Sequence, residues 1–329
     1  MNEFVYSYPT KVLFGEKAAA KHLPAELSKV GQTVMLAYGG GSVLDCCKVV
    51  SAQAKLTTDL WSFEYGEKKQ PAEFIPMGAV VTAFGTGSEM NNGAVITHAE
   101  KKIKGALWGA FYDFAILDPL YTMTMPLKQV FSGAFDSLSH CMETYMGKPR
   151  TSNLSDEINE ACQRNIIAHV RATLANPQDV QARSELIWAA AMAENGILKI
   201  GKATDFQAHM LEHQLGAYTD CNHGQGLAVI HPVLYRHMLT EGEEQFARLA
   251  VNVWGVDPSG KSQAELAEAF VQSLAAFIKE ATLPTTFAEM GISNDVDYKA
   301  IAQSTVLTPN CCKKFTTEEL LDVLMECKG

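Results

Sequence analysis

The hydrophobic periodicity of the chain changes once, near Met125–Pro126, and that change constrains the fold more than any other feature. Upstream, short apolar runs are bounded by Gly and Pro: 3-EFVYSY-8, 33-TVMLAY-38, 79-AVVTAF-84, 94-AVIT-97 and 114-FAILD-118, with a helical pattern through 43–55. Runs of that length joined by helical crossovers predict a mostly parallel sheet. Downstream, helical segments follow one another with almost no strand signal, as in 154-LSDEINEACQRNIIAHVRATLA-175 and 178-QDVQARSELIWAAAMAENGILKI-200. Ser262 with Glu265, and Thr316 with Glu319, form two capping boxes that open further helices. The expected organisation is an α/β region over 1–126 followed by an all-α region over 127–329.

A chain of 329 residues can bury two cores. Its net charge is −10 and no Lys/Arg stripe is present, which argues against nucleic acid or an anionic membrane as partner. No apolar run approaches the roughly 18 residues of a membrane helix, and no signal-peptide pattern opens the chain. Eight cysteines include two adjacent pairs and no CxxC. Adjacent cysteines bridge only with strain, so reduced thiols and a cytoplasmic location are expected.

Two local patterns carry chemistry. In 37-AYGGGSVLDCCK-48 a strand-like run enters a glycine turn and a helix follows, the form of a phosphate-cradling turn. In 132-SGAFDSLSHCMETY-145, Asp136 and His140 are four apart, and in 205-DFQAHMLEHQLGAYTDCNHGQG-226, His209 and His213 repeat that step. Residues four apart on a helix share a face, about 6 Å apart along the axis. His223 follows fourteen residues after His209, beside Gly224 and Gly226.

Each pair alone reads equally as a packed helix face or a hydrogen-bonded buried histidine. Concentration favours another reading: four of nine histidines gather with an aspartate in two apolar helical neighbourhoods. Buried imidazoles and a carboxylate are costly without partners, and a divalent metal supplies one. A donor set of one carboxylate and three imidazoles suits Fe(II) or Zn.

Asp-x3-His followed by His-x3-His-x9-His resembles the iron-containing (group III) alcohol dehydrogenases, in the branch of NADPH-dependent butanol dehydrogenases and aldehyde reductases. The likeness runs through 8-YPTKVLFG-15, 85-GTGSE-89, 116-ILDP-119 and 283-LPTTFAEMGI-292, so it spans essentially the whole chain. The resemblance implies a dehydroquinate synthase-like dinucleotide-binding α/β domain and an all-α metal domain. It implies Asp136, His140, His209 and His223 as metal ligands, and His213 as a catalytic-pocket histidine between metal and nicotinamide. It also implies that Gly40, Gly41, Ser42 and Asp45 surround the pyrophosphate. Thr82, Thr86 and Ser88 would meet the phosphate and nicotinamide side, and Lys104 the nicotinamide ribose.

Relatives of this branch carry two glycine-serine turns. Here TVMLAYGGGS matches the first and GGGSVLDCCKVVSA the second, so one turn stands where two are expected. That join leaves the nucleotide domain roughly fifty to sixty residues short of a full two-half domain. The expected function is reduction of aldehydes or oxidation of primary alcohols with NAD(P)(H) by a homodimer. NADP(H) is favoured over NAD(H), because Gly39 and Gly40 stand where an NAD enzyme places an acidic residue. Three alternatives stay open: a truncated paralogue that keeps the metal site without turnover, a glycerol dehydrogenase-like enzyme, and a dehydroquinate synthase-like enzyme.

Overall fold

The computed structural model describes residues 6–329 except 31–33, 35, 36, 38, 110, 151 and 152. The expected strand over 33–38 therefore lies largely outside the described residues, as does the start of the one over 3–8.

Among the described residues a parallel sheet of three short strands organises the first region: β1 (Lys11–Phe14), β2 (Gly78–Val80) and β5 (Phe114–Leu117), in the order β1-β5-β2. All four residues of β5 are buried, as an unbroken apolar run between two parallel neighbours requires. Helix α1 (Ala18–Leu27) follows β1, and α2 (Gly41–Gln53) starts directly on the glycine turn.

Two expectations need correction. The first strand is Lys11–Phe14, and Tyr6–Tyr8 form no strand. The run 94–97 lies in β3 (Gly93–His98), which pairs antiparallel with β4 (Ile103–Trp108) as a separate two-stranded hairpin. The chain reverses between them over 99–102, with Lys102 at φ 49°, so the connection is too short for a parallel crossover.

Nine helices follow: α3 (Leu127–Tyr145), α4 (Leu154–Ala175), α5 (Val180–Glu194), α6 (Gln207–Thr219), α7 (His223–His237), α8 (Leu239–Asn252), α9 (Gln263–Glu280), α10 (Tyr298–Ser304) and α11 (Thr317–Glu326), among the described residues. Both expected capping boxes form. Glu265 N–H donates to Ser262 Oγ at 3.3 Å while Ser262 N–H donates to Glu265 at 2.7 Å, and Thr316 and Glu319 repeat the exchange. Each such cap stabilises its helix by about 1 kcal/mol.

One continuous core runs through the helices, from Phe131 and Met142 on α3 to Leu324 on α11. The buried apolar residues of the α/β region instead fall mainly into three small groups, centred on Ala79 and Ala115, on Phe114 and Ile116, and on Leu60 and Leu107. No helix among the described residues is long and apolar enough to cross a membrane.

Candidate metal centre and its cavity

Helix α3 carries Asp136 and His140 on the face it turns inward, α6 carries His209 and His213, and His223 is the first residue of α7. The turn before α7 is fixed locally: Asn222 caps the helix by accepting from Gln225 N–H at 3.1 Å, and its side chain also meets Ser132 Oγ on α3. That places the α7 N-terminus against α3, where a side chain at Gly224 would sit on the Ser132 carbonyl.

Asp136 Oδ1 is the centre of the cluster. His209 Nε2 and His223 Nε2 each lie 3.5 Å from it, and His140 Nδ1 lies 3.6 Å away. One donor atom from each of Asp136, His209 and His223 falls within 4.8 Å of the other two. His140 stands outside that compact trio, although its ring packs 4.4 Å from that of His209.

Asp136 Oδ1, His140 Nδ1 and His209 Nε2 are all buried without a hydrogen-bond partner. Three orphaned polar atoms at one point are costly. Donors bonded at about 2.1 Å to a tetrahedral ion stand about 3.4 Å apart, close to the separations found. The residues present therefore fit a divalent cation.

Burial and mutual charge set the electrostatics of the cluster. Burial opposes ionisation of Asp136, yet His140, His223 and His209 outweigh it and hold the carboxyl below its ordinary range. Burial likewise opposes charging His209, but the Glu143 carboxylate raises it to about 10. His213 moves the opposite way: burial first, and then the Lys104 charge, hold it well below the usual imidazole value.

The cluster opens onto a cavity of about 520 Å³ whose two walls come from the two regions. His140, His209, His213 and His223 line the helical wall; Ser42, Asp45, Thr86, Ser88 and Lys104 line the α/β wall, with Trp108 and Phe111 at the rim. Of the residues expected near a cofactor, these five reach the cavity; Gly40, Gly41 and Thr82 are not part of its lining.

Several expected contacts are instead spent within the protein. Thr82 Oγ1 donates to the Gly39 carbonyl at 2.7 Å, which ties β2 to the glycine turn. Ser88 Oγ donates to Asp45, whose other oxygen accepts from Val95 N–H at 2.9 Å. Gly41 is required by contact: a side chain there would meet Thr86 Oγ1 at 2.5 Å.

Residues missed by sequence reasoning stand directly behind the cluster. Glu143 Oε2 meets His209 Nδ1 and Glu212 Oε2 meets His223 Nδ1. A spacing signal existed, since Glu143 falls three residues after His140 and Glu212 three after His209. Lys48 was also missed. It is buried, donates to Asn91 Oδ1 and the Gly93 carbonyl, and is lowered to about 8 by burial.

Comparison with known proteins agrees with this architecture. Residues 130–327 match the Fe-containing alcohol dehydrogenase family, C-terminal, and residues 26–119 match the iron-containing alcohol dehydrogenase family. The chain belongs to the iron-containing alcohol dehydrogenase family. It is 35% identical over 269 residues to NADH-dependent butanol dehydrogenase B of Clostridium acetobutylicum, covering 80% of this chain and 68% of that protein. It is 33% identical over 264 residues to the NADPH-dependent aldehyde reductase YqhD of Escherichia coli, covering 79% and 68%. Among solved structures, NADH-dependent butanol dehydrogenase A of Thermotoga maritima superposes with a TM-score of 0.89 at 25% identity, covering 100% of this chain and 99% of that one.

Proposed function

We propose that the chain is a metal-dependent NAD(P)(H) alcohol dehydrogenase or aldehyde reductase, interconverting a primary alcohol and its aldehyde by hydride exchange with nicotinamide. One observation carries the reading: His140 and His209, whose orphaned nitrogens stand beside the orphaned Asp136 Oδ1, line the same cavity as Ser42, Thr86 and Lys104. Asp136, His209 and His223 would hold the ion, with His140 as the fourth ligand. An iron(II) or zinc ion there would supply Lewis acidity towards a substrate oxygen.

The chain's own groups have separable tasks. Lys104 and the N-terminus of α2 give the α/β wall its positive character, suited to an anionic cofactor. His213, kept neutral by burial and by Lys104, is the imidazole placed to take up or return the alcohol proton. Trp108 and Phe111 give the cavity an apolar rim that fits a small alcohol or aldehyde. The named relatives include both NADH- and NADPH-dependent enzymes. We favour NADP(H), because no acidic side chain stands at Gly39–Gly40.

The division into a shortened nucleotide domain over 1–126 and a metal domain over 127–329 belongs to the same reading, as does a homodimer. Among the described residues β1 and β2 each pair on one side only, with β5. The single glycine turn at Gly39–Ser42, where two are expected, also supports a second reading, an impaired paralogue that keeps its metal site.

One assay separates the two. The iron- or zinc-loaded protein is mixed with butanal and NADPH or NADH, and nicotinamide absorbance is followed beside the metal content of the His213→Ala variant. Turnover in the parent, with loss of turnover but full metal content in the variant, is expected. No turnover with either cofactor in a fully loaded parent favours the impaired paralogue. Metal loss in the variant makes His213 a ligand.

A further inference from the structure

Two of the three imidazoles that face Asp136 are each held from behind by a carboxylate with no solvent exposure. Glu143, on α3, meets Nδ1 of His209, and Glu212, on α6, meets Nδ1 of His223. Glu143 is itself oriented by backbone, because Ala208 N–H donates to its Oε1 at 2.6 Å. Ser139 Oγ lies 3.4 Å from Glu143 Oε2 and 2.6 Å from His231 Nε2, so a third layer braces the carboxylate.

The second arm differs. Glu212 Oε2 lies 3.6 Å from Lys104 Nζ on β4, whereas the ion pairs of Glu143 among the described residues include no lysine or arginine. His140 lacks such a brace: its Nδ1 faces Asp136, and its Nε2 stands 4.0 Å from Glu194.

A histidine that donates its Nδ1–H to a carboxylate has a bare lone pair at Nε2. Both Nε2 atoms stand 3.5 Å from the orphaned Asp136 Oδ1. We propose that Glu143 and Glu212 are positioning residues that fix the tautomer and ring orientation of His209 and His223, so that two Nε2 lone pairs converge on one cation. The proposal rests on the metal reading of the site. Lys104 makes the arms unequal: it offsets the Glu212 charge, so the Glu143 arm contributes more to ligand basicity. The same contact links the α/β wall of the cavity to a metal ligand.

The test uses full-length protein freed of metal and titrated with zinc against a competing chelator. Variants are Glu143→Leu, Glu143→Gln, Glu212→Leu and Glu212→Gln, with Glu160→Gln as a buried carboxylate remote from the cluster. Nitrogen-15 NMR of the histidines in the metal-free protein reads the tautomer independently. Expected results are a 10- to 100-fold loss of zinc affinity in the Leu variants, larger for Glu143, and partial rescue in the Gln variants, which keep an acceptor. Glu160→Gln should leave affinity unchanged. The parent should show protonated Nδ1 at both His209 and His223.

Parental affinity in both Leu variants with the fold intact overturns the proposal. If the Leu variants fail to fold, the parent spectrum decides, and a bare Nδ1 at either histidine is fatal. A parent that binds no zinc removes the metal reading, while the tautomer still tests the positioning.

Discussion

The helical region and the α/β region build their parts of the cavity in opposite ways. His209 and His213 come from one helix at one-turn spacing, Asp136 and His140 from another, and one continuous core supports both. The α/β wall draws Ser42, Thr86 and Lys104 from three separate elements over small disconnected cores. The metal site takes residues in pairs from α3 and α6 and adds His223 from the start of α7, with one core beneath all three helices. A site assembled singly from a helix start, a turn and a strand depends on each of those segments being in place. The comparison teaches that the metal centre can outlast changes in the α/β region more readily than a dinucleotide site can.

The sharpest way to break that comparison is to attack the helical side. His209→Ala and His223→Ala should each reduce bound metal from one ion per chain to near none, read by elemental analysis after dialysis. Full occupancy in both variants would remove these histidines from the ligand set and leave no robust half to compare. A smaller effect is expected on the α/β side. Calorimetric titration should give NADPH and NADH affinities at least about tenfold weaker than that of the Escherichia coli aldehyde reductase for its cofactor, a difference of about 1.4 kcal/mol. Dinucleotide affinity is spread over several backbone positions, and here one glycine turn serves where two are expected. Equal affinity would show that one glycine turn suffices.

The smallest effect concerns stability within the helical region. Asp205 is raised to about 7, by burial and then by Glu143, and its Oδ2 has no partner. The folded state therefore keeps a proton that the unfolded state releases near pH 4. Asp205 stabilises most fully below pH 4, and that contribution is lost as pH rises through 7. Asp205→Asn should flatten this decline, so urea midpoints at pH 5 and pH 8 lie closer together in the variant. Parallel profiles would mean that Asp205 is already charged at pH 5.

The same contrast governs what was legible beforehand. Helix α4 runs over Leu154–Ala175 as its pattern indicated, because caps and apolar periodicity are local signals. The cluster was legible for the same reason, since Asp136, His140, His209 and His213 show their shared faces through spacing alone. Strand β1 was not, because Lys11–Phe14 is defined by pairing with Phe114–Leu117, about a hundred residues away. The hairpin of β3 and β4 was hidden by a turn, Ala99–Lys102, that lacks Asn-Gly or Asp-Gly. The braces were half legible: three-residue spacing marks Glu143 and Glu212, but their partners lie on other helices.

Gly85 and Gly133 bring the turn over the cavity and helix α3 into direct backbone contact. A side chain at Gly133 would stand 2.2 Å from the Phe84 carbonyl, and one at Gly85 would stand 3.0 Å from the Gly133 Cα and 3.1 Å from Asp136 Oδ2. In mechanical language this is a joint with no clearance. The offset between the two walls is set where they touch, so dimensional errors arising earlier in the chain do not accumulate across it. Insertions or losses upstream of Ser42 can alter the outer sheet while Thr86 and Asp136 keep their registration to one another.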